Sequence, residues 1–493
     1  MFIKSLNEEI KTSSAIAVLF FAGCLFTLPI LLANVYYIDD LMRSTSGILG
    51  WIFLGRPLTD LTFQIVSSSN QAIDIFPLGL IISVLFLTLA SMILLITTGI
   101  KKKLFTILLF SMIWMNPMML QNLSYRFDSL SMSLSILSCA LAAYFIYNKS
   151  FLYTILSCLF IVCSLSLYQP SVFSFLSCCI LISTCKIVNY ETNIKDTFII
   201  ALKTTISFLA GYYLYSNCLL PYILFSNSRS ELIFDSTYPI AHIIGYLKEI
   251  SIQLFSIYNS GYEPYLIILS IVILVGLITT ITSGVINKKS KASILLIIIV
   301  LFLSPALCFI LTFMPTAILK EQITSPRVFM SFGFILSSFF LFTSRSNLAS
   351  AVAFIVYAIP TLSLSFAYGN ALKQQSDYDN FTAWEIISNS KENNETIVFY
   401  GENNKPMIVQ QIIKEKPFLK YLVSPSYDWT MTMRLQNNNF NNVSFSFDRK
   451  LKIRLAETAC IEKITPKDII GNIKSYSLNN YKLISLSGFL TCN

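Results

Sequence analysis

The 493-residue chain is poor in charge and contains a single histidine, His242. Charged residues make up 12% of it, well below the ~25% of soluble globular domains, whereas 55% are apolar and the mean hydropathy is +0.66. This balance excludes an ordinary water-soluble enzyme, and equally a fibrous, disordered or nucleic-acid-binding chain. A Ser-His-Asp hydrolase would depend on His242 alone, and the segment 238–247 around it has the pattern of an amphipathic interfacial helix.

Motifs for nucleotides and metals are also missing. The sequence has no P-loop, no GxGxxG after a strand, no HExxH, and no intramembrane acids repeated between two halves as in many ion-coupled transporters. Nine of the eleven cysteines lie in or beside apolar runs without metal-ligand spacing, as expected of small buried apolar residues. Cys460 and Cys492 lie in the polar tail, where an oxidising compartment would allow a disulfide and two free thiols are the alternative.

Apolar runs predict a membrane domain of about 11 transmembrane helices, at ~20 residues per span. The first span is uncleaved and ends near Tyr37, because no small-residue cleavage site follows it. The other runs lie at approximately 77–99, 104–121, 129–147, 151–168, 171–187, 197–225, 264–286, 292–314, 326–344 and 348–367.

Basic residues predict the orientation of these spans. From a cytoplasmic N-terminus, alternation of the spans satisfies the positive-inside rule in every short inner loop. The inner residues are Lys101, Lys102, Lys103, Lys149, Lys186, Lys195, Lys288, Lys289, Lys291 and Arg345. The opposite face receives the loops 38–76, 226–263 and 315–327, the turns near Tyr125 and Gln169, and everything after residue 367. We therefore expect the chemistry on that opposite face.

Composition changes near residue 367, after which charged residues become frequent. The sequence thus predicts an all-α membrane domain over 1–367 and a small α/β domain over 368–493. Within the second domain, the patterns predict strands at 396–400 and 481–487, a helix at 407–416 and a turn or loop at 437–442.

Asp39 and Asp40 directly follow the first span. Two adjacent carboxylates at an apolar boundary are costly unless water, a cation or a reacting group uses them. One of the pair is therefore a candidate general base. The alternative is that both only end the span and are solvated among the lipid headgroups.

Arginines on the same face are candidate phosphate ligands, because a guanidinium stays charged beside lipid and donates two parallel hydrogen bonds. They are Arg56, Arg126 and Arg327. Each has an ordinary alternative: headgroup anchoring for Arg56 and its neighbour Trp51, pairing with Asp128 for Arg126, and capping or snorkelling for Arg327. Further candidate site residues are Arg43, Trp51, Tyr125, Asp128 and Lys320.

The segment 37–44 and the residues after it resemble the glucosyltransferase II-like family, GT-C-type membrane enzymes, often carried by bacteriophages, that convert the O-antigen serotype of enteric bacteria. The matching motifs are Tyr37-Ile38-Asp39-Asp40-Leu41-Met42-Arg43-Ser44, Gly50-Trp51, Gly55-Arg56-Pro57-Leu58, Asn116-Pro117, Tyr125-Arg126-Phe127-Asp128 and Ser325-Pro326-Arg327. The resemblance is best over the first 130 residues and weakest in the tail.

The resemblance implies transfer of glucose from undecaprenyl-phosphate glucose to a sugar hydroxyl of lipid-linked O-antigen, on the periplasmic face of the bacterial inner membrane. Asp39 is then the expected base, and Asp40 orients it or holds a cation. Arg327, Arg126 and Arg56 would bind the donor phosphate. No cofactor is implied, and a divalent cation on the two aspartates is left open.

The resemblance further implies direct displacement with inversion at the anomeric carbon, since no second carboxylate is placed as a nucleophile. The tail would bind the acceptor glycan, with Tyr421, Tyr427 and Trp429 either stacking on sugars or packing in the core. Two other classes remain open: a flippase or transporter of polyprenyl-linked sugars, and an O-antigen polymerase or ligase whose main loop would be 226–263.

Overall fold

The structure, a computed structural model, describes residues 8–148, 150–189, 194–223, 233, 239–286, 291–390, 395–444 and 448–490. Helices dominate it. They are α1 (Thr12–Ala33), α2 (Asp40–Ser46), α3 (Pro57–Ser67), α4 (Leu78–Thr98), α5 (Leu104–Leu109), α6 (Met119–Ser124), α7 (Ser129–Ile146), α8 (Phe151–Leu167), α9 (Val172–Val188), α10 (Ile194–Tyr213), α11 (Pro239–Ile257), α12 (Glu263–Ile286), α13 (Lys291–Ala317), α14 (Phe332–Phe340) and α15 (Asn347–Ser388). Shorter helical turns include Ile52–Leu54, Phe110–Ile113, Gln169–Ser171 and Pro326–Val328, and a π-helical turn, Tyr258–Tyr262, joins α11 to α12.

Membrane-type helices form the N-terminal part. Within the described ranges, eight helical stretches are long and apolar enough to cross a membrane, and shorter apolar helices occupy 104–113, 152–167 and 332–344. Each predicted apolar run overlaps one of these helices, so the membrane-type helical fold is confirmed. The stretch 239–282 also covers much of the predicted loop 226–263, and the stretch 347–388 continues past residue 367. The count of eleven crossings stays a prediction, because three of the helices are short for a ~30 Å hydrocarbon core.

Close helix packing in this part depends on small residues. Gly333 of α14 lies directly against the carbonyl of Ile113, and a Cβ at residue 333 would stand 2.0 Å from that oxygen. Any side chain there would push α14 away from the 110–113 turn, and with it the adjoining 326–328 turn.

Helix α15 joins the two parts of the molecule. Its 42 residues correspond to about 63 Å at 1.5 Å per residue, roughly twice the hydrocarbon thickness of a bilayer. The first half is apolar, and the second half carries Ala383 and Ile386 into the core of the C-terminal domain. The predicted boundary at residue 367 therefore falls inside one continuous helix.

The C-terminal domain contains β1 (Thr396–Tyr400), α16 (Met407–Glu415), α17 (Asp428–Asn437), α18 (Arg449–Ile461), β2 (Lys467–Ile470), β3 (Ile473–Leu478) and β4 (Tyr481–Ser485). The sheet order is β1-β4-β3-β2, with β1 parallel to β4 and the other pairs antiparallel. Alternate residues of β1 face opposite ways: Ile397 packs with α15 and α17, and Val398 packs with α18. The predicted strands, helix and turn are confirmed, while β2 and β3 were not predicted.

Cysteine pairing agrees in part with the sequence. Cys460, in α18, is disulfide-bonded. The partner expected for it, Cys492, lies outside the described residues. The cysteines of the membrane-type part are free thiols.

The segments predicted for the outer side of the membrane meet at one end of the helix bundle, which we call the domain face. The Tyr37 hydroxyl donates to the Leu422 carbonyl (2.7 Å), and Lys416 Nζ donates to the Ser260 carbonyl (2.8 Å). The C-terminal domain therefore rests on the loops after α1 and α11. Of the predicted loop 226–263, the structure describes Ile233 and the residues from 239 onward.

The lysine-rich inner segments meet at the other end, which we call the basic face. The Ile10 amide donates to the Lys102 carbonyl (2.8 Å), and Lys203 Nζ donates to the Asn148 carbonyl (3.1 Å). Segments assigned to one side by charge alone are thus neighbours in space.

Candidate active site

The two adjacent aspartates have opposite environments. Between the end of α1 and the start of α2, Ile38 adopts a φ of 46°, a left-handed conformation rare for a β-branched residue. Strained backbone of this kind is concentrated at functional sites. In the residues that follow, the Asp39 side chain is 45% exposed while Asp40 is fully buried.

Asp40 holds the backbone together. Its Oδ2 accepts from the amides of Tyr37 (2.9 Å) and Arg126 (3.0 Å), and its Oδ1 faces the Phe127 amide at 3.5 Å. Burial raises the pKa of Asp40 to about 8 despite these three amides, and the nearby Asp128 adds to the rise. The carboxyl ties the loop after α1 to the turn between α6 and α7.

Asp39 lies beside a guanidinium. Its Oδ2 is 3.6 Å from the nearest nitrogen of Arg327, whose side chain is 31% exposed. The same guanidinium donates to the Tyr125 hydroxyl and lies 5.2 Å from the Tyr125 ring centroid. The Tyr125 ring packs edge-on against Tyr37 at 4.9 Å between centroids, which leaves its hydroxyl aimed at the arginine.

Two amide side chains of α6 position Arg327. Gln121 Oε1 accepts from the Arg327 amide (2.8 Å) and the Ser325 hydroxyl (2.7 Å), and Asn122 Nδ2 donates to the Arg327 carbonyl (2.9 Å). Gln121 Nε2 also donates to the Tyr37 hydroxyl (3.1 Å), so one buried residue connects both sides of the site. Sequence reasoning missed this pair, although two consecutive amides in an apolar run are a recognisable signal of a buried polar network.

Arg56 reaches the same place from the turn before α3. Its Nε donates to Gln169 Oε1 (2.7 Å), and its guanidinium carbon lies 4.6 Å from the ring centroid of Tyr168. The Tyr168 hydroxyl donates to the Arg327 carbonyl (3.3 Å), so Tyr168 links the two arginines. Burial lowers the pKa of Arg56, and the charge of Arg327 acts in the same direction. An anion bound between the two cations would relieve both effects.

The residues just described form what we call the acid–arginine cluster: Asp39, Arg56, Tyr125, Tyr168 and Arg327. It contains two cations and one acid. Of the site residues expected from the sequence, the structure therefore brings together Asp39, Arg56, Tyr125 and Arg327.

Arg126 is engaged elsewhere. It forms an ion pair with Asp74 (2.5 Å) and donates to Asn34 Oδ1 (2.6 Å) and the Val35 carbonyl (3.0 Å), and its side chain is 8% exposed. Tyr36 and Phe76 stack on the guanidinium. Its expected alternative, pairing with Asp128, is wrong because Asp74 occupies that role.

Asp128 instead pairs with Arg43 at 3.7 Å and accepts from Trp51 Nε1 at 2.7 Å, while Arg43 stacks on the Trp51 ring at 3.7 Å. Trp51 is 0% exposed, so its expected alternative as a headgroup anchor is wrong: the ring is enclosed by protein. We call Arg43, Asp74, Arg126 and Asp128 the paired cluster, because each charge in it has an opposite charge beside it. Lys320, the remaining candidate, is exposed in the segment after α13.

The geometry does not gather ligands for a metal at the two aspartates, since Asp39 faces Arg327 and Asp40 faces backbone amides. In the parts of the chain that the structure describes, no three His, Cys, Asp or Glu side chains are grouped to hold a metal ion.

An apolar groove descends from the domain face. It lies between α11, α12 and α14, and is lined by residues that include Tyr258, Tyr262, Phe332 and Leu336. Gln253 Nε2 of α11 donates to the Thr324 carbonyl (2.8 Å), which holds α11 against the segment leading to Arg327. This contact places α11, which forms one wall of the groove, beside the segment leading to Arg327.

Fold and site together define a polytopic membrane-type protein with a polar catalytic-type cluster at one end of its helix bundle. The family model described as "Glucosyl transferase GtrII" matches residues 28–338. The chain therefore belongs to the GtrII glucosyltransferase family. The matched range includes the whole acid–arginine cluster and ends before α15.

A curated relative comes from a bacteriophage. The chain is 33% identical over 201 residues to an "Uncharacterized 55.3 kDa protein in gtrB 5'region" of Salmonella phage P22, an alignment that covers 39% of each chain. The chain thus spans well under half the length of that relative. No solved structure matches the chain.

Proposed function

We propose that this protein transfers glucose from undecaprenyl-phosphate glucose to a sugar hydroxyl of lipid-linked O-antigen. The observation that carries the proposal is the acid–arginine cluster, in which the exposed carboxylate of Asp39 lies 3.6 Å from Arg327 with Arg56 close by. Family membership supplies the reaction class, and the cluster supplies a base and an anion site within one small space.

Asp39 acts as the general base. The acceptor hydroxyl loses its proton to the Asp39 carboxylate as its oxygen forms a bond to the anomeric carbon of glucose. The bond from that carbon to the phosphate oxygen breaks at the same time, and its electron pair stays on the phosphate. One displacement of this kind inverts the anomeric centre.

Arg327 and Arg56 receive the negative charge that grows on the leaving phosphate, because fixed cations stabilise charge developing in the transition state. Arrival of the donor phosphate draws Arg327 from Asp39, which frees the carboxylate for the acceptor hydroxyl. Asp40 and the paired cluster hold the backbone around this site. Arg126 belongs to this supporting structure, in place of the phosphate-binding role expected from the sequence.

The apolar groove between α11, α12 and α14 suits the polyprenyl chain of the donor. Its empty space, counted to its open mouth, is about 980 Å³ and its walls are apolar. A lipid chain lying there would bring its phosphate to the 326–328 turn, since Phe332 lines the groove and Arg327 precedes it by five residues.

We place the domain face in the periplasm and the basic face in the cytoplasm of the bacterial inner membrane, because lysine-rich loops remain inside. Alkaline phosphatase fused after residue 490 should be active in cells, and a fusion in the 101–103 loop should be inactive. The reverse result would place the cluster in the cytosol and overturn this orientation.

Replacing Asp39 with Asn tests the mechanism. We expect the rate of glucose transfer to fall by ~10²–10⁴-fold, with normal insertion and unchanged donor binding. Asp468→Asn, at an exposed position of β2, is the matched control and should keep full activity. Equal activity in both variants would remove Asp39 from the mechanism. Movement of polyprenyl-phosphate glucose across vesicles without transfer would favour a flippase.

A further inference from the structure

A polar pocket lies where the loop after α1 meets the C-terminal domain. Its walls come from residues 36–38, from the second half of α15, from 424–427 and from α17. The pocket opens to solvent on one side, and its space including the open mouth is about 450 Å³. Ile38 and Leu41, on either side of the two aspartates, line it, so the pocket adjoins the proposed base.

Asp379 organises the polar wall of this pocket and is 2% exposed. Its Oδ1 accepts from Gln375 Nε2 (3.0 Å) and Asn403 Nδ2 (3.3 Å), and its Oδ2 accepts from the Ser426 hydroxyl (2.6 Å) and an Arg434 nitrogen (3.5 Å). One carboxylate therefore orients side chains from α15, two loops and α17.

Two of these side chains retain unused polar atoms. Gln375 Oε1 and Arg434 Nε are buried and have no hydrogen-bond partner among the residues that the structure describes. Gln375 is 4% exposed, and both residues line the pocket. Because buried polar atoms without partners are rare and costly, an unused acceptor and an unused donor in one wall indicate a place for a ligand group that both donates and accepts.

A sugar has the matching chemistry. Each hydroxyl donates one hydrogen bond and can accept two, and Tyr427, in the pocket lining, offers ring surface for the apolar face of a pyranose. A phosphate suits the pocket less, because Asp379 already neutralises Arg434. We infer that this pocket binds the acceptor glycan and presents its hydroxyl to Asp39, an inference that rests on the proposed function.

The test compares acceptor and donor kinetics in full-length protein. Gln375→Met removes the amide at nearly constant volume, and Gln411→Met, at an exposed position of α16, is the matched control. Ser376→Phe fills the pocket from its rim while leaving the four donors on Asp379 in place. The acceptor probe is O-polysaccharide released by mild acid from lipopolysaccharide of the same strain with the gene deleted, so that it lacks the added glucose, and donor hydrolysis without acceptor is measured in parallel.

We expect both pocket variants to raise the acceptor KM by ~10-fold, with the donor KM, the donor hydrolysis rate and the melting temperature unchanged. An unchanged acceptor KM, or an equal loss of acceptor and donor kinetics together with a lower melting temperature, would show that the cluster only joins the domains and would overturn the inference. A failure of the proposed function itself would give a different result, because the wild type would then neither transfer nor hydrolyse the donor. In that case glycan binding to wild type and to Gln375→Met is compared by calorimetry.

Discussion

The acid–arginine cluster and the paired cluster lie side by side on the domain face but treat charge differently. In the paired cluster, Arg126 has Asp74 and Arg43 has Asp128, and all four side chains are largely buried. In the acid–arginine cluster, Arg56 donates to the neutral amide of Gln169. Arg327 lies beside the partly exposed carboxylate of Asp39 and donates to the Tyr125 hydroxyl. Charges that balance each other stabilise a loop. A cluster with more cations than acids and one exposed carboxylate is suited to bind an anion and to accept a proton.

Removing Arg327 should have the largest effect on turnover after loss of the base. Arg327→Met is expected to lower the transfer rate by ~10²–10³-fold, because the leaving phosphate then develops its charge without a fixed cation. Arg327→Lys should recover part of the rate, since it keeps the charge and loses the planar fork.

Arg449→Met, at an exposed position of α18, controls for loss of positive charge, and rates at saturating donor are the measurement. If Arg327→Met binds and transfers normally, the contrast between the two clusters has no catalytic meaning.

Breaking the paired cluster should lower the stability of the protein and leave its catalytic rate nearly unchanged. Asp74→Asn leaves the buried guanidinium of Arg126 without its carboxylate, at an expected cost of about 2 kcal/mol, below the range for fully buried pairs because Asp74 is 27% exposed. Thermal unfolding in detergent should show a lower midpoint, while kcat per folded molecule stays within about twofold of wild type.

Asp468→Asn again provides the control for loss of an exposed acid. A large fall in kcat with an unchanged unfolding midpoint would move Arg126 into the acid–arginine cluster and restore its phosphate-binding role.

Sequence patterns predicted which segments share a face, but not which side chains meet there. Apolar runs mark segments that lie in lipid, and lysines mark loops that lie in water on the inner side. The positions of the helices can therefore be predicted from these two patterns. Short motifs such as the segment 37–44 also identified the loop that carries Asp39. The contrast between Asp39 and Asp40 was beyond sequence reasoning, because it depends on amides that residues 126 and 127 supply to Asp40.

Long-range partners explain the other differences. Arg126 is two residues from Asp128, yet its partner Asp74 lies 52 positions away. Arg327 depends on Gln121, 206 positions earlier. Pairings of this kind are set by how the helices pack, which no local pattern encodes. The polar wall around Asp379 was missed for the same reason.

Asp40 offers the mildest and most specific test of the contrast. Its pKa rises from 3.8 to about 8 on folding, so between these values the folded protein holds a proton that the unfolded chain releases. The stability that this group contributes is complete below about pH 4 and is lost as the pH rises toward 8. Asp40→Asn mimics the protonated acid, and at pH 6 it should unfold within about 1 kcal/mol of wild type.

In wild type we expect the unfolding midpoint to fall between pH 5 and pH 9, a range that brackets the upper pKa of Asp40, about 8. In the Asn variant this fall should be smaller. Asp40→Ala, which removes the acceptor for two buried amides, should cost about 2–4 kcal/mol at every pH. If instead Asp40→Asn is as damaging as Asp40→Ala, or abolishes transfer in a well-folded protein, then Asp40 works as a charged carboxylate and belongs with Asp39.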